Sequence, residues 1–589
     1  MAGHPSMDQY VWLIAIISIA FCASSFGNGA NDVANAYATS VAARTLEMWQ
    51  VGILAMCTEF IGAVALGSGV TSTIKNGIMD IKRFEDAPAT LILAMTCAEI
   101  GSATWLLTAT RFGFPVSTTQ TIVGAMIGAG LAAEATISWG WKKGSVSQIA
   151  ASWLIAPLLS CCFSAILFLT LKFAVLERRD PFKWAMRLIP FYLAFTGGVL
   201  ALFIVIEMPD AEDLEDYGTG KIVGIILGVF FGVLAISYIF FVPYFHRRLV
   251  MGDARVKAWH IPMGPLLLKE NIPLYLPGNK GVREGEVVTD HYASQHVDVI
   301  KDDSEADQSS IAREKALNQE KVNNDANNEN DIPIVPVVPS TKEADSSALE
   351  AGPTAVRRLR VIEPEERFLA PTAHLPMYNP SRIWGMTKYF LLQGVTRDCV
   401  THSSSELAKT HALAKQYDNR VEHLWTYAQV ASAMMMSIAH GSNDVANAVG
   451  PWVGAYTTFQ DGFVSSKANT PIWLLVIAGF LLGAGFWFMG WKIVQALGNK
   501  ITQMSPTRGF SVELGAAITV LLASRLALPV STTQCLTGAV MGVALCNFNL
   551  GATNWRQLGY IFTGWVMTLP AAGLISGLLM LVALNTPSF

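Results

Sequence analysis

"FPVSTTQTIVGAMIG" at residues 114–128 returns as "LPVSTTQCLTGAVMG" at residues 528–542. A fifteen-residue stretch that recurs with nine positions identical, PVSTTQ among them, marks a duplicated chain. Working outward, the spacing holds. Glu99 and Glu513 each lie 16 residues before the proline of their copy, and Arg111 and Arg525 each lie four residues before it. Further upstream, "GNGANDVANA" (27–36) is answered by "GSNDVANA" (441–448), with 67 residues from Asp32 to Glu99 and 69 from Asp444 to Glu513.

The duplicated unit sits in an apolar chain. With 52% hydrophobic and 15% charged residues and a mean hydropathy of +0.39, the composition excludes an ordinary soluble enzyme and predicts an all-α polytopic membrane protein. Runs long enough to cross about 30 Å of hydrocarbon occur near 11–30, 47–67, 88–110, 148–176, 186–208, 219–245, 425–450, 472–492, 511–528 and 557–584. Two shorter runs, 115–133 and 530–548, follow prolines. A net charge of −4 implies no nucleic-acid partner. The first run has no basic segment before it and no small-residue cleavage site after it, so it reads as a retained span, not a signal peptide. Seven of the eight cysteines fall in or beside apolar segments without CxxC spacing and read as small packing residues.

Three regions follow: a membrane half over 1–245, a hydrophilic loop over 246–420 and a second membrane half over 421–589. The loop opens with "HRRLVMGDARVK" (246–257), and a basic cluster directly after a span marks the cytosolic side. "ERRDPFKWAMR" (177–187) falls on the same side and the acidic "PDAEDLEDYG" (209–218) on the other, whereas "TIKNGIMDIKR" (73–83) fits this scheme poorly. Residues 283–355 are polar and almost free of aromatic residues, so too little apolar surface is available to offset ordering entropy, and disorder is predicted. The flanks, 255–280 and 360–420, carry tryptophan, proline and aliphatic residues suited to short helices at the membrane surface. A solvated linker is expected here, not a catalytic domain.

The polar motifs carry the chemistry. Paired polar interruptions in duplicated membrane halves point to a transporter with its site at the repeat interface. Ionised Asp32 and Asp444 are costly in hydrocarbon and require a cation or donor partner. Beside them Asn31, Asn35, Asn443 and Asn447 offer amide oxygens, a hard-ligand set suited to an alkali cation. The plainer reading is that the asparagines hydrogen-bond between helices. In "PVSTTQ", proline ends the preceding segment and Ser-x-x-Gln forms a capping box, so a helix starts inside an apolar hairpin. Its free N–H groups and the hydroxyls of Ser117, Thr118 and Thr119, with Ser531, Thr532 and Thr533 in the second copy, make an anion site. No lysine or arginine lies within 112–133 or 526–555, and Arg111 and Arg525 read as interfacial or paired with a carboxylate. Countercharge must then arrive with the anion, which predicts cation-coupled symport. Glu59, Glu99 and Glu513 are candidate coupling acids, and His440, where the first copy has Asn28, reads as a hydrogen-bonding core histidine.

At these residues the chain resembles the inorganic phosphate transporter (PiT) family, and its long polar insert resembles the fungal sodium/phosphate symporters within it. The resemblance implies about twelve transmembrane elements in two inverted repeats with re-entrant helical hairpins, and sodium-coupled import of inorganic phosphate. It places sodium on Asn31, Asp32, Asn35, Asn443, Asp444 and Asn447. Phosphate falls on Ser117, Thr118, Thr119, Ser531, Thr532 and Thr533, with Gln120 and Gln534 beside them where many members carry histidine. Ser442 replaces the alanine of the usual motif. No cofactor is implied, sodium being a co-transported substrate. Further expectations are a plasma-membrane location, a cytosolic central loop, a homodimer and regulatory partners of the loop. Competing readings stay open: proton-coupled phosphate or sulfate symport, a phosphate receptor, or an intramembrane aspartyl protease built on Asp32 and Asp444.

Overall fold

The computed structural model describes residues 4–67, 70–142, 144–207, 218–270, 287–292, 362–400, 405–466 and 470–586. Two units separate: Met1–Gln295 with Glu363–Phe589, which holds all the helices below, and His296–Ile362, of which only Ile362 is described. Among the described residues the regular elements are helices, with one isolated bridge between Met79 and Ile137. Each predicted apolar run falls on a helix.

In chain order these are α1 (Val11–Asp32), α2 (Ala34–Ala42), α3 (Met48–Leu66), α4 (Thr71–Gly77), α5 (Pro88–Arg111), α6 (Thr118–Ala132), α7 (Val146–Leu176), α8 (Pro181–Glu207) and α9 (Thr219–Val250). After the loop come α10 (Pro380–Thr396), α11 (Ser405–Ala412), α12 (Asn419–Asp461), α13 (Ile472–Met489), α14 (Trp491–Leu497), α15 (Pro506–Arg525), α16 (Thr532–Leu545) and α17 (Trp555–Leu584). Among the described residues, eight helical stretches are long and apolar enough to cross a membrane.

Hydrogen bonds between helix ends define two faces. On one, Lys415 Nζ reaches Glu177 Oε1 at 2.9 Å, Lys172 Nζ donates to the Cys546 carbonyl at 2.7 Å, and His411 Nε2 lies 2.8 Å from the Asn499 carbonyl. The central loop joins this face. His291 and Tyr292 are buried, with His291 Nδ1 2.8 Å from the Ala43 carbonyl at the end of α2 and the Tyr292 hydroxyl donating to Glu422 Oε1 at 2.7 Å. Residues 287–292, at the edge of the segment expected to be disordered, are therefore docked, and the rest of 283–355 lies outside the described residues. On the opposite face, Asn76 Nδ2 donates to the Ser466 carbonyl at 2.8 Å and buried Lys75 donates to Thr457 Oγ1 at 3.0 Å. Lys75, one of the three cations in 73–83, is thus a packed side chain against α12 and not a loop charge, whereas Lys82 and Arg83 are exposed.

Two helical hairpins, α5–α6 and α15–α16, carry the repeated sequence. The first has its base on the face of α4, where Asp80 N donates to the Thr136 carbonyl at 2.9 Å; the second has its base on the loop face, where Thr507 N donates to Glu422 Oε2 at 2.9 Å. Small residues let each hairpin sink against a neighbour, as close helix packing in an apolar body requires. A Cβ on Gly128 of α6 would stand 2.0 Å from the Gly573 carbonyl oxygen of α17, and one on Gly542 of α16 would stand 2.2 Å from the Cys161 carbonyl oxygen of α7. Ser576 donates to the Ala125 carbonyl at 2.5 Å, and Ser164 repeats this on the Ala539 carbonyl at 2.8 Å.

The helices bearing the aspartates are pinned in the same way. A Cβ on Gly29 of α1 would meet the Leu482 carbonyl oxygen of α13 at 1.9 Å, and one on Gly485 would meet the Phe26 carbonyl oxygen at 2.0 Å. Gly29→Val forces α1 away from α13, an overpacking cost of about 1–3 kcal/mol or more. A lowered unfolding temperature and yield of detergent-purified protein are expected. Gly224→Val, on α9 where an added Cβ meets nothing within 4 Å, serves as the control and is expected to leave both unchanged.

Candidate functional site

Each hairpin tip is built by its own sequence. Gly113 takes a left-handed φ of 71° after α5, Pro115 stops any helical continuation, and Ser117 caps α6 by accepting from Gln120 N at 3.1 Å. In the second copy Ala527 stands where Gly113 does and holds φ at 52°, a strained conformation for a residue with a Cβ. Thr73 Oγ1 donates to its carbonyl at 2.9 Å. Ser531 caps α16 by accepting from Gln534 N at 3.3 Å. The predicted capping boxes are only half formed: the serines cap, but the oxygens Gln120 Oε1 and Gln534 Oε1 are buried without a donor.

Asn31 and Asn443 brace the tips. Asn31 Nδ2 donates to Thr110 Oγ1 at 2.9 Å and to the Phe114 carbonyl at 3.0 Å, while its Oδ1 accepts from Val116 N at 3.0 Å. Asn443 repeats the pattern with Ser524 Oγ, the Leu528 carbonyl and Val530 N at 3.0, 3.3 and 3.3 Å. Both amides substitute for backbone partners that an irregular turn lacks. Thr110 and Ser524 were not singled out by the sequence reading; their matched position one residue before each arginine was the available signal.

The aspartates meet the threonines of both tips. Asp32 Oδ2 accepts from Thr118 N at 3.2 Å and Thr118 Oγ1 at 2.7 Å, and Asp32 Oδ1 lies 3.0 Å from Thr533 Oγ1 of the other hairpin. Asp444 Oδ2 accepts from Thr532 Oγ1 at 2.8 Å. Asn35 Nδ2 donates to Thr533 Oγ1 at 2.9 Å, and Asn447 Nδ2 donates to Thr118 Oγ1 at 3.1 Å and Thr119 Oγ1 at 3.2 Å. Finally Thr119 Oγ1 donates to the Val530 carbonyl and Thr533 Oγ1 reaches the Val116 carbonyl, at 2.9 and 3.0 Å. The two sequence-predicted ligand sets thus form one buried network. Among the described residues no donor reaches Asn35 Oδ1, Asp444 Oδ1 or Asn447 Oδ1, nor Oδ1 of Asn28, whose Nδ2 donates to the Asp444 carbonyl, and all four oxygens are sealed from solvent. Unpaired buried carbonyl and carboxylate oxygens are the chemistry of a hard-cation site.

The coupling acids divide. Glu59 accepts from Ser437 Oγ at 2.5 Å and lies 2.7 Å from His440 Nδ1, whose Nε2 is 3.2 Å from Asp444 Oδ2. Ligand atoms of Asp32, His440 and Asp444 all fall within 4.8 Å of one another. Glu513 is saturated: Thr39, Ser40 and Gln429 donate to Oε1 at 2.6, 2.6 and 3.4 Å, and Ser432 donates to Oε2 at 2.8 Å. Glu99 is equally buried and lacks that ring of donors. One expectation fails in detail: the polar motif does not break its helix, since Val33, between α1 and α2, keeps helical angles of φ −63° and ψ −26°. In the second copy α12 runs through unbroken, its polar residues accommodated as side chains.

Residues 28–576 match the phosphate transporter family. The phosphate-repressible phosphate permease pho-4 of Neurospora crassa is 35% identical over 99% of both chains. The sodium-dependent phosphate transporter 2 of Homo sapiens is 28% identical over 98% of both, and the sodium-dependent phosphate transporter 1-B of Danio rerio 28% identical over 98% of this chain and 96% of its own. A solved structure described as "The sodium-dependent phosphate transporter" shares the fold with a TM-score of 0.60 at 24% identity, covering 98% of this chain and all of its own. A family match that takes in both hairpins and both aspartate motifs, with a relative similar end to end, leaves one conclusion: the chain belongs to the phosphate transporter family.

Proposed function

We propose that the protein is a sodium-coupled symporter that imports inorganic phosphate by alternating access. The observation that carries the mechanism is the pair of bonds from Thr118 Oγ1 to Asp32 and from Thr532 Oγ1 to Asp444. A cation that takes a carboxylate competes for the lone pairs those hydroxyls occupy. Thr118 and Thr532, relieved of the carboxylate, then turn their protons to an oxyanion at the two helix starts. Cation binding in this way assembles the anion site, and the anion in turn favours the cation-bound state, the reciprocity that coupling requires.

Sodium is assigned to Asp32, Asp444, Asn35 and Asn447, with Asn31 and Asn443 positioning the tips. Phosphate is assigned to the hydroxyls and N–H groups of 117–119 and 531–533. Each positive charge moved down 100 mV contributes about 2.3 kcal/mol, so more than one sodium ion is needed to drive a divalent anion inward. The arrangement as two inverted repeats with re-entrant hairpins, about twelve transmembrane elements in all, is supported by hairpin bases on opposite faces and by the matched hydrogen bonds of the two tips. The cytosolic placement of the central loop is supported by the basic residues that open it, and the plasma-membrane location follows from the reading as an importer.

Radiolabelled phosphate uptake into proteoliposomes, with sodium and proton gradients imposed separately, tests the reading. Accumulation is expected with the sodium gradient; accumulation driven by the proton gradient alone overturns sodium coupling. Asp32→Asn and Asp444→Asn keep size but remove the charge that offsets a cation's desolvation. Each is expected to cut sodium-driven uptake by about tenfold or more, raised sodium restoring more than raised phosphate; unchanged sodium dependence in either would make that aspartate structural. Thr118→Ala with Thr532→Ala removes the shared hydroxyls, so phosphate affinity and its dependence on sodium are expected to fall together, about 1–3 kcal/mol for each lost donor. Calorimetric titration of phosphate at several sodium concentrations measures both; intact cooperativity would break the proposed link.

A further inference from the structure

Among the described residues Arg111, which ends α5, is not paired with a carboxylate. It shares a cavity of about 380 Å³ with Lys492 and Lys500, together with Gln495, Gln557 and Tyr560, and no acidic residue lines it among the described residues. Among the described residues none of the three cations forms an ion pair; Lys492 Nζ donates at 2.6 Å to the Arg111 carbonyl, tying the first hairpin tip to α14. Three positive side chains brought together without an acid repel one another, a cost that an anion removes.

The location gives the cavity its role. Gln495 Nε2 donates to the Asp398 carbonyl at 2.8 Å and Asn499 accepts from His411, so the cavity belongs to the face that carries the central loop. Its inner wall is Tyr560, whose ring stacks on Phe114 with centroids 4.8 Å apart. The Phe114 carbonyl is the one held by Asn31, and Ser117, which caps the anion-binding helix start, follows three residues later.

We propose that this cavity is a vestibule for a phosphate-class oxyanion, and that inorganic phosphate passes through it between the first hairpin tip and the loop face. The proposal rests on the transport reading above and adds a second, outer phosphate position to it. The cations raise the local phosphate concentration on one face only, and salt screens the effect.

The test uses full-length protein in oriented phosphatidylcholine vesicles that present radiolabelled phosphate to the loop face or to the opposite face. Lys492→Gln with Lys500→Gln is expected to raise the half-saturating phosphate concentration about three- to tenfold from the loop face at low ionic strength, and much less in high salt. The value from the opposite face and the sodium dependence stay at wild type, and Lys492→Arg with Lys500→Arg restores the first. Equal shifts on both faces, or none, overturn the vestibule while leaving transport intact. A shift that appears only when anionic lipid is added assigns the cavity to a lipid headgroup and also overturns it. Wild-type protein that moves no phosphate from either face strikes the transport reading itself.

Discussion

A carboxylate sealed inside an apolar helical body must gather donors or a cation, and Asp32 gathers them from both halves of the chain. Thr118 of the first hairpin supplies an N–H and a hydroxyl, and Thr533 of the second supplies another hydroxyl. The contact fixes more than one side chain. It requires the two tips to meet, so it sets how deep each hairpin reaches and where each helix start points. The bracing by Asn31 and Asn443 and the crossed bonds of Thr119 and Thr533 to opposite backbones are the means by which the tips hold that position.

Such a meeting is possible only if the supporting helices approach closely. Lipid gives no hydrophobic drive for one helix to prefer another, so packing and shape decide. Gly29 and Gly485 at the crossing of α1 and α13, Gly62 and Gly441 at the crossing of α3 and α12, and the paired glycines of the hairpins place backbone against backbone. Contacts of this kind have no slack. Rigid helix pairs thus flank tips that the amides of Asn31 and Asn443 brace and that hydroxyl bonds join to the aspartates.

Much of this was legible from the residues. The repeated PVSTTQ and NDVANA motifs gave the duplication, the hairpin turns and the buried polar cluster, because proline, serine caps and intramembrane acids have few physical meanings. The comparisons then placed the chain in its family. What stayed hidden depends on which atoms face each other across hundreds of residues. Asn31 and Asn35 look alike in sequence, one turn apart, yet Asn31 spends its oxygen on Val116 N whereas Asn35 keeps an oxygen without a donor. Glu99 and Glu513 occupy matched positions, yet only Glu513 meets Thr39, Ser40, Gln429 and Ser432, which come from α2 and α12. His291 and Tyr292 sit in a polar loop whose composition signals disorder, and no local pattern announces that their partners are Ala43 and Glu422.

Duplication has not left two equal sites. Asp32 takes its hydrogen bonds from neutral hydroxyl and backbone donors, with the His440 ring within 4.8 Å, whereas Asp444 has His440 Nε2 at 3.2 Å and, through that ring, Glu59. The first copy places Asn28 where the histidine would be, and its Nδ2 donates to the Asp444 carbonyl at 2.8 Å instead of to a carboxylate. A cation approaching Asp32 displaces hydroxyl protons that can rotate toward another acceptor. One approaching Asp444 must also contend with a ring fixed between two acids. On the proposed assignment the two cation positions are therefore unequal in what a cation must displace. The Asp32 position, whose displaced donors are those of both helix starts, is the one most directly wired to the anion.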